Sequence, residues 1–256
     1  MNTTLAFLGQ FGGAVEFIFK ERESVGGGVK IGGLGEISDL AATHLLVSVV
    51  AMAVACAISI PIGLYLGHKG RGEFLAISVS NVGRAVPAIV LLFFFIAFVG
   101  NGFTNVAFVL ILLAIPPILT NTYVGVRQVE PDVVDAARGM GMTGPQLVRL
   151  VRLPLALPTI FAGIRISAVS VLATATIGTY ANLQTLGEPI LVPQQYGFEG
   201  ALGAAIVVAL ITIAADAGIG LMQQAVTPKG IKLAEEPKAE HRRRLSLPTR
   251  RREAST

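Results

Sequence analysis

The sequence predicts an all-α membrane protein of about five spanning helices. Three observations carry this expectation. First, 53% of the 256 side chains are apolar and only 14% are charged, a balance too apolar for a soluble domain of this length. Second, the apolar residues gather into runs approaching or exceeding the ~20 residues a spanning helix needs, because in hydrocarbon each backbone amide must be satisfied within its own helix. Third, the connections between those runs alternate between ones rich in Lys and Arg and ones that contain none.

In chain order, residues 3–19 are apolar but lack a basic leading region and carry Glu16 before Lys20, which argues against a cleavable signal peptide. They read as an interfacial amphipathic helix or as a short extra span. Residues 20–36 hold Glu21-Arg22-Glu23 and then Gly26, Gly27, Gly28, Gly32, Gly33 and Gly35, which predicts a flexible connector without a core. Residues 1–38 are thus expected to form an N-terminal segment outside the bilayer core. The first span is placed at residues 44–66, with Gly63 and Gly67 at the small-residue spacing that lets helices approach closely. Its Cys56, the single cysteine, reads as a small buried hydrophobe. The second span, residues 74–99, contains Arg84 and Pro87 and is expected to kink or begin as a broken helix. Gly100-Asn101-Gly102 then turns the chain tightly into the third span, residues 103–123, which runs through Pro116-Pro117. A charged connection at residues 125–158 follows, then a fourth span at 159–180, a polar-flanked loop at 181–200 and a fifth span at 201–223. The transmembrane domain is bounded at residues 39–225. Residues 226–256 hold nine of the twenty Lys and Arg residues and read as a solvated, disordered basic tail able to touch anionic lipid. Nucleic-acid binding is not expected of it.

Short loops rich in Lys and Arg stay in the cytoplasm. His68-Lys69-Gly70-Arg71, then Arg127, Arg138, Arg149 and Arg152, then Lys229, Lys232 and the Arg clusters all fall on one side, whereas residues 100–103 and 181–200 contain no Lys or Arg. The expected topology is a multi-pass plasma-membrane protein with its N-terminus outside and its C-terminus cytoplasmic. No phosphate-cradling pattern of Gly, four residues, then Gly-Lys-Ser/Thr occurs anywhere in the chain, so ATP binding of that kind is not expected here.

The 125–158 connection has a helical pattern of its own. Pro131 suits a first helical turn, and Asp132 and Asp135 favour its positive end. Gly139 and Gly141 end that helix within about two turns. Thr143 can cap a second helix with Pro145 in its first turn. Leu147, Leu150, Val151 and Leu153 give it an apolar stripe, and Pro154 and Pro158 are expected to close it off. From physics alone this is either a compact helix-turn-helix knob outside the bilayer or an amphipathic loop lying on headgroups.

The segment resembles the EAA loop of importer permeases. Asp135-Ala136-Ala137, three residues, Gly141, nine residues, then Val151, Arg152 and Leu153-Pro154 reproduce every spacing of that pattern, with Asp135 in place of Glu and Val151 in place of Ile. The resemblance implies the type I fold of ABC importer permeases. It also implies that the short helix docks in a groove of a cytoplasmic ATP-binding subunit, engaging Asp135, Ala136, Ala137, Gly139, Met140, Gly141, Met142, Val151, Leu153 and Pro154. ATP and Mg would then be held by that partner and no cofactor by this chain. A second permease subunit, the same or related, and an extracellular or periplasmic solute-binding protein are implied as further partners. The runs 136–143, 153–158 and 173–178 further resemble permeases for glycine betaine, choline, carnitine and proline-type osmoprotectants, over about residues 40–225. Another small solute such as an amino acid, or an energy-independent channel or carrier, is the alternative. With no Trp and four Tyr, the chain offers little for a tight aromatic cage around a quaternary ammonium.

Other polar residues stay open to two readings. Arg84 either lines the path or pairs with Asp216; otherwise Arg165 and Asp216 snorkel to the basic boundary and Arg84 marks a break before Pro87. Thr174, Thr176, Thr179 and Tyr180 give the fourth span a polar side that either faces a water-filled path or acts as interhelical glue. No catalytic or metal site is expected.

Overall fold

The computed structural model describes residues 2–70 and 86–227, with side chains from residue 9 onward. Arg84, the first part of the second span and the basic tail lie outside the described residues.

The N-terminal segment is not the coreless connector its glycines suggested. Helix α1 (Asn2–Phe19) is followed by strands β1 (Glu21–Glu23) and β2 (Lys30–Gly32), which pair antiparallel with Arg22 opposite Ile31. Gly27 and Gly28, at φ 78° and 79°, supply the left-handed backbone of the turn between them. The hairpin is anchored by side chains the glycine count concealed. Phe17 and Ile31 are buried against Tyr196, and the Phe17 and Tyr196 rings meet edge to face at 6.2 Å. Arg22 passes over the Phe17 ring, pairs with Glu199 and donates to the Tyr196 carbonyl at 2.6 Å.

Helix α2 (Gly33–Lys69) starts eleven residues before the expected 44, because the hairpin feeds directly into it and Glu36 accepts from the Gly32 amide. Helix α3 (Ala88–Val99) begins after Pro87, and the Gly100–Gly102 turn leads into α4 (Phe103–Arg127). Pro116 and Pro117 lie inside α4 without ending it, and neighbouring helices supply donors to carbonyls just before them. Ser59 bonds the Ile115 carbonyl at 3.3 Å and Ser167 the Ala114 carbonyl at 2.9 Å. Beyond the knob described below run α7 (Leu153–Thr174), a 3₁₀ turn (Ala175–Ala181), the short α8 (Gly187–Leu191) and α9 (Pro193–Val226). Residues 181–200 are therefore not one loop. They contain α8 and the first turn of α9, which bends at Gly197.

The central helix is α4, held between α2 and α7 by glycines at its contact lines. A Cβ on Gly63 would sit 2.7 Å from Thr122 Cβ, and one on Gly67 2.8 Å from Val126 Cβ. On the other side, a Cβ on Gly163 would sit 2.7 Å from Asn121 Cβ and 2.8 Å from the Pro117 carbonyl. The Gly63–Gly67 spacing is thus a real helix contact. Around it Val47, Ala51, Ala55, Val106, Leu110, Ala114, Ile118 and Val171 form the main core; in lipid such packing, rather than water exclusion, holds helices together.

Among the described residues, four helical stretches are long and apolar enough to cross a membrane: Gly33–Lys69, Phe103–Arg127, Gly144–Ala181 and Pro193–Val226. Ala88–Val99 is the described part of the expected second span. Large apolar side chains stand exposed along α3 and α9, including Phe93, Phe94, Phe98, Leu210, Ile213 and Leu221. Patches of this size need lipid or another subunit to cover them.

Candidate functional site

At the basic end of the bundle, α4 ends at Arg127 and the chain folds into a knob. Its first helix is α5 (Pro131–Gly139), with Pro131 in the first turn. Gly141, at φ 82°, ends it. The Gly141 amide donates to the Arg138 carbonyl and the Met142 amide to the Ala137 carbonyl, a Schellman closure that needs a left-handed residue at Gly141. Space is not the constraint there, since nothing lies within 4 Å of where its Cβ would be. The second helix, α6 (Gly144–Leu147), opens with a capping box in which the Thr143 amide donates to Gln146 Oε1 at 2.8 Å.

The second knob helix does not stop at Pro154. It continues through a π turn (Val148–Arg152) into α7, with Pro154 in the first turn of α7 and Pro158 inside it. Proline lacks an amide to donate, and at the π turn the Leu153 amide reaches the Val148 carbonyl instead. The knob is consequently a rigid extension of the fourth span.

Val134, Ala137 and Leu147 form the knob's own small core, with Val129, Met142 and Val151 packed on it. The two alanines expected to engage the ATP-binding subunit therefore divide: Ala137 is buried within the knob, and Ala136 faces outward. Val133, Ala136 and Met140 make an exposed stripe at i, i+3 and i+7, with Met140 72% exposed. Asp135 is exposed and lies 3.7 Å from Arg138. Gly139 and Gly141 are exposed, while Met142, Val151, Leu153 and Pro154 are half-buried at the junction with α7.

Arg152 entered the sequence reading through its charge and as a spacing position of the loop pattern, with no contact expected of it, yet it ties the knob to the bundle. It is 8% exposed and donates to the Gly67 and His68 carbonyls, both at 3.3 Å. These are terminal carbonyls of α2, where a cation meets the negative helix end. The position of Arg152 directly before Leu153-Pro154 was the available signal.

Of the expected pathway residues, Arg84 lies outside the described residues. Thr174 ends α7, and Thr176 and Tyr180 stand on the 3₁₀ turn at the end of the bundle away from the knob. The Thr176 hydroxyl bonds the Ala173 carbonyl at 2.8 Å, and the half-exposed Tyr180 ring lies 6.0 Å from Phe93. Asp216 has a partner among the described residues. It accepts two hydrogen bonds from Arg165, at 2.8 and 2.7 Å. The pair sits well inside α7 and α9 rather than at their ends, where each charge lowers the other's cost of entering lipid. Reversing either charge alone, by Arg165→Asp or Asp216→Arg, should reduce the yield of folded protein several-fold, and combining both reversals should restore it. Size-exclusion yield in detergent checks this, and a double reversal no better than the singles would show that the contact is incidental.

At that same far end lies a cleft of about 580 Å³ lined by Thr43, Thr179, Asn182, Leu183, Gln184, Glu188 and Val192. Burial, and secondarily the nearby Glu36 carboxylate, push the Glu188 carboxyl above the usual carboxylate range.

Helices long and apolar enough to cross a membrane, with a helical knob continuous with the fourth of them, define a multi-pass membrane protein. Its residues 59–229 match the family described as "Binding-protein-dependent transport system inner membrane component". The chain belongs to that family. It is 32% identical over 203 residues to the glycine betaine/carnitine/choline transport system permease protein OpuCB of Bacillus subtilis (strain 168), covering 79% of this chain and 94% of that protein. It is 36% identical over 194 residues to the carnitine transport permease protein OpuCB of Listeria monocytogenes, covering 75% and 89% respectively. Among solved structures, an inward-facing conformation of the MetNI methionine ABC transporter aligns with a TM-score of 0.66 at 21% identity, over 76% of this chain and 98% of that one. That likeness establishes the type I ABC importer permease fold.

Proposed function

We propose that this chain is the permease subunit of an ATP-driven importer for compact osmoprotectants such as glycine betaine, choline, carnitine or proline. The observation that carries the machine is the knob: an exposed Val133–Ala136–Met140 stripe on a helix with its own core, joined rigidly to α7 and tied by Arg152 to the end of α2. A docked ATPase that moved the stripe would move two spanning helices with it. The solute class is supported by what the relatives' names state for those proteins.

In this reading the knob faces the cytoplasm, because its end of the described bundle carries Lys69, Arg127, Arg138, Arg149 and Arg152 while residues 100–103 and 181–200 carry no Lys or Arg. ATP and Mg belong to the cytoplasmic ATPase subunit, and solute is delivered from outside by a binding protein. A second permease, the same or related, covers part of the exposed apolar surface of α3 and α9. Closure of two ATPases draws two knobs together and switches the bundle between discrete packings. Tyr123 and Tyr196 are buried, leaving Tyr65 and Tyr180 as the exposed tyrosines, so passage through this subunit is of low affinity. Reconstitution of the chain with its ATPase and binding protein should give uptake of labelled choline or glycine betaine that requires all three components and ATP. Uptake of the same rate without ATPase or nucleotide would favour a carrier and defeat the proposal.

A further inference from the structure

The cleft at the end remote from the knob has chemistry that the coupling reading does not use. Its one carboxylate, Glu188, stands among uncharged hydrogen-bonding side chains, Thr43, Thr179, Asn182 and Gln184, with Leu183 and Val192 as apolar walls. Among the described residues no Lys or Arg lines it. The nearby Arg22 is committed to Glu199 and the Tyr196 carbonyl. The other charged or titratable groups facing Glu188 are Glu36, from α2, and Tyr196, from α9, whose hydroxyl donates to Glu36 at 2.7 Å. Glu188 thus forms no ion pair among the described residues.

Two further features separate this cleft from an ordinary surface crevice. Thr179 Oγ1 is buried without a hydrogen-bond partner, a rare and costly condition for a polar atom. Asn182, which ends the 3₁₀ turn, is the only non-glycine described residue with positive φ, at 55°. The volume of about 580 Å³ falls in the range of about 300–1,000 Å³ usual for small-molecule sites.

We propose that this cleft is a low-affinity recognition site for a compact quaternary-ammonium solute, with Glu188 facing the cationic head and Asn182 and Gln184 meeting the polar tail. The choice of solute rests on the importer reading. The chemistry that selects it is a single unneutralised carboxylate in a partly desolvated cleft, which attracts a weakly hydrated cation and has no cation to hold a lone anion. A binding protein releasing solute at this end would find a first station on the permease itself.

The test is direct binding of labelled choline to the permease–ATPase complex in nanodiscs, with no binding protein present. The wild-type complex should bind saturably, and tetramethylammonium should compete while the neutral isostere 3,3-dimethylbutan-1-ol should not. Glu188→Gln should weaken binding about ten-fold, as expected for loss of one charge-assisted contact, and Glu188→Asp should retain most of it. The charged carboxylate is the binding form, so wild-type binding should fall as pH drops through its raised pKa, at a higher pH than an ordinary carboxylate would give, and Glu188→Gln should remove that dependence. Absence of saturable binding to the wild type, competition by the neutral isostere, or equal affinity in a normally folded Glu188→Gln complex overturns the proposal. ATP-driven uptake without choline binding would remove the cleft and leave the importer reading standing; binding without ATP-driven uptake would do the reverse.

Discussion

Ala136→Trp is expected to leave the protein inserted and folded while reducing ATP-driven uptake about thirty-fold, the equivalent of roughly 2 kcal/mol lost from a docked interface. The argument is one of position. Ala136 is exposed and touches no part of the knob's own core, whereas Ala137, its neighbour, is 2% exposed and packs with Val134 and Leu147. A bulky residue at Ala137 would break the knob from within, and its loss of uptake could be blamed on misfolding. The same bulk at Ala136 meets only whatever covers the stripe. Replacing Asp135-Ala136-Ala137 together with bulky residues, or deleting Gly141, should abolish uptake as well, but Ala136→Trp is the cleaner measurement. It is read as choline uptake in proteoliposomes and as co-purification of the ATPase subunit, with size-exclusion behaviour as the folding control. Normal uptake and normal co-purification would remove the knob from the coupling mechanism.

What the sequence disclosed and what it hid divide along a physical line. Helix existence, the tight turn at residues 100–102, the Gly63–Gly67 contact and the helix-turn-helix form of the knob depend on local chemistry: runs of apolar side chains, small-residue spacing, proline at a first turn and glycine past a helix end. All of these were legible. The failures arose where a distant partner decides. Glycine-rich residues 26–35 read as a coreless connector because Phe17, Ile31 and Tyr196, which give the hairpin its anchor, are up to about 180 residues apart in the chain. The Arg165–Asp216 pair was not legible because spacing cannot say which helices are neighbours; the bundle brings the two together. Pro154 and Pro158 read as helix breakers, yet a π turn and a first-turn position accommodate them. The cleft was invisible for the same reason, since Thr43, Thr179 and Glu188 come from three separate elements.

Gly187→Ala is expected to be the most damaging Gly→Ala substitution among the described glycines. A Cβ at this position would lie 1.8 Å from the Thr176 carbonyl oxygen, 2.5 Å from its carbon and 2.6 Å from Thr176 Cα. All three are backbone atoms of the 3₁₀ turn, so no side chain can swing aside. The surrounding backbone is equally committed. Thr185 and Leu186 are fully buried, Thr185 Oγ1 donates to the Ala175 carbonyl at 3.2 Å, and the Gly187 amide donates back to Thr185 Oγ1. Moving α8 away from the turn would break these bonds and strand buried polar groups, and keeping it in place would force overlap. Either route should cost more than about 3 kcal/mol, above the usual penalty for overpacking. Gly35→Ala is the matched control: it lies in the exposed first turn of α2 with nothing within 4 Å of its Cβ position, so the helix should gain a few tenths of a kcal/mol or more. Thermal midpoints in detergent should therefore fall by several degrees for Gly187→Ala and hold or rise for Gly35→Ala. Because α8 carries Glu188 and the turn carries Thr176, Thr179 and Tyr180, the same substitution should also abolish choline binding at the cleft in whatever protein survives. A Gly187→Ala protein with the wild-type midpoint would mean that the clamp between α8 and the turn is not as tight as this packing requires.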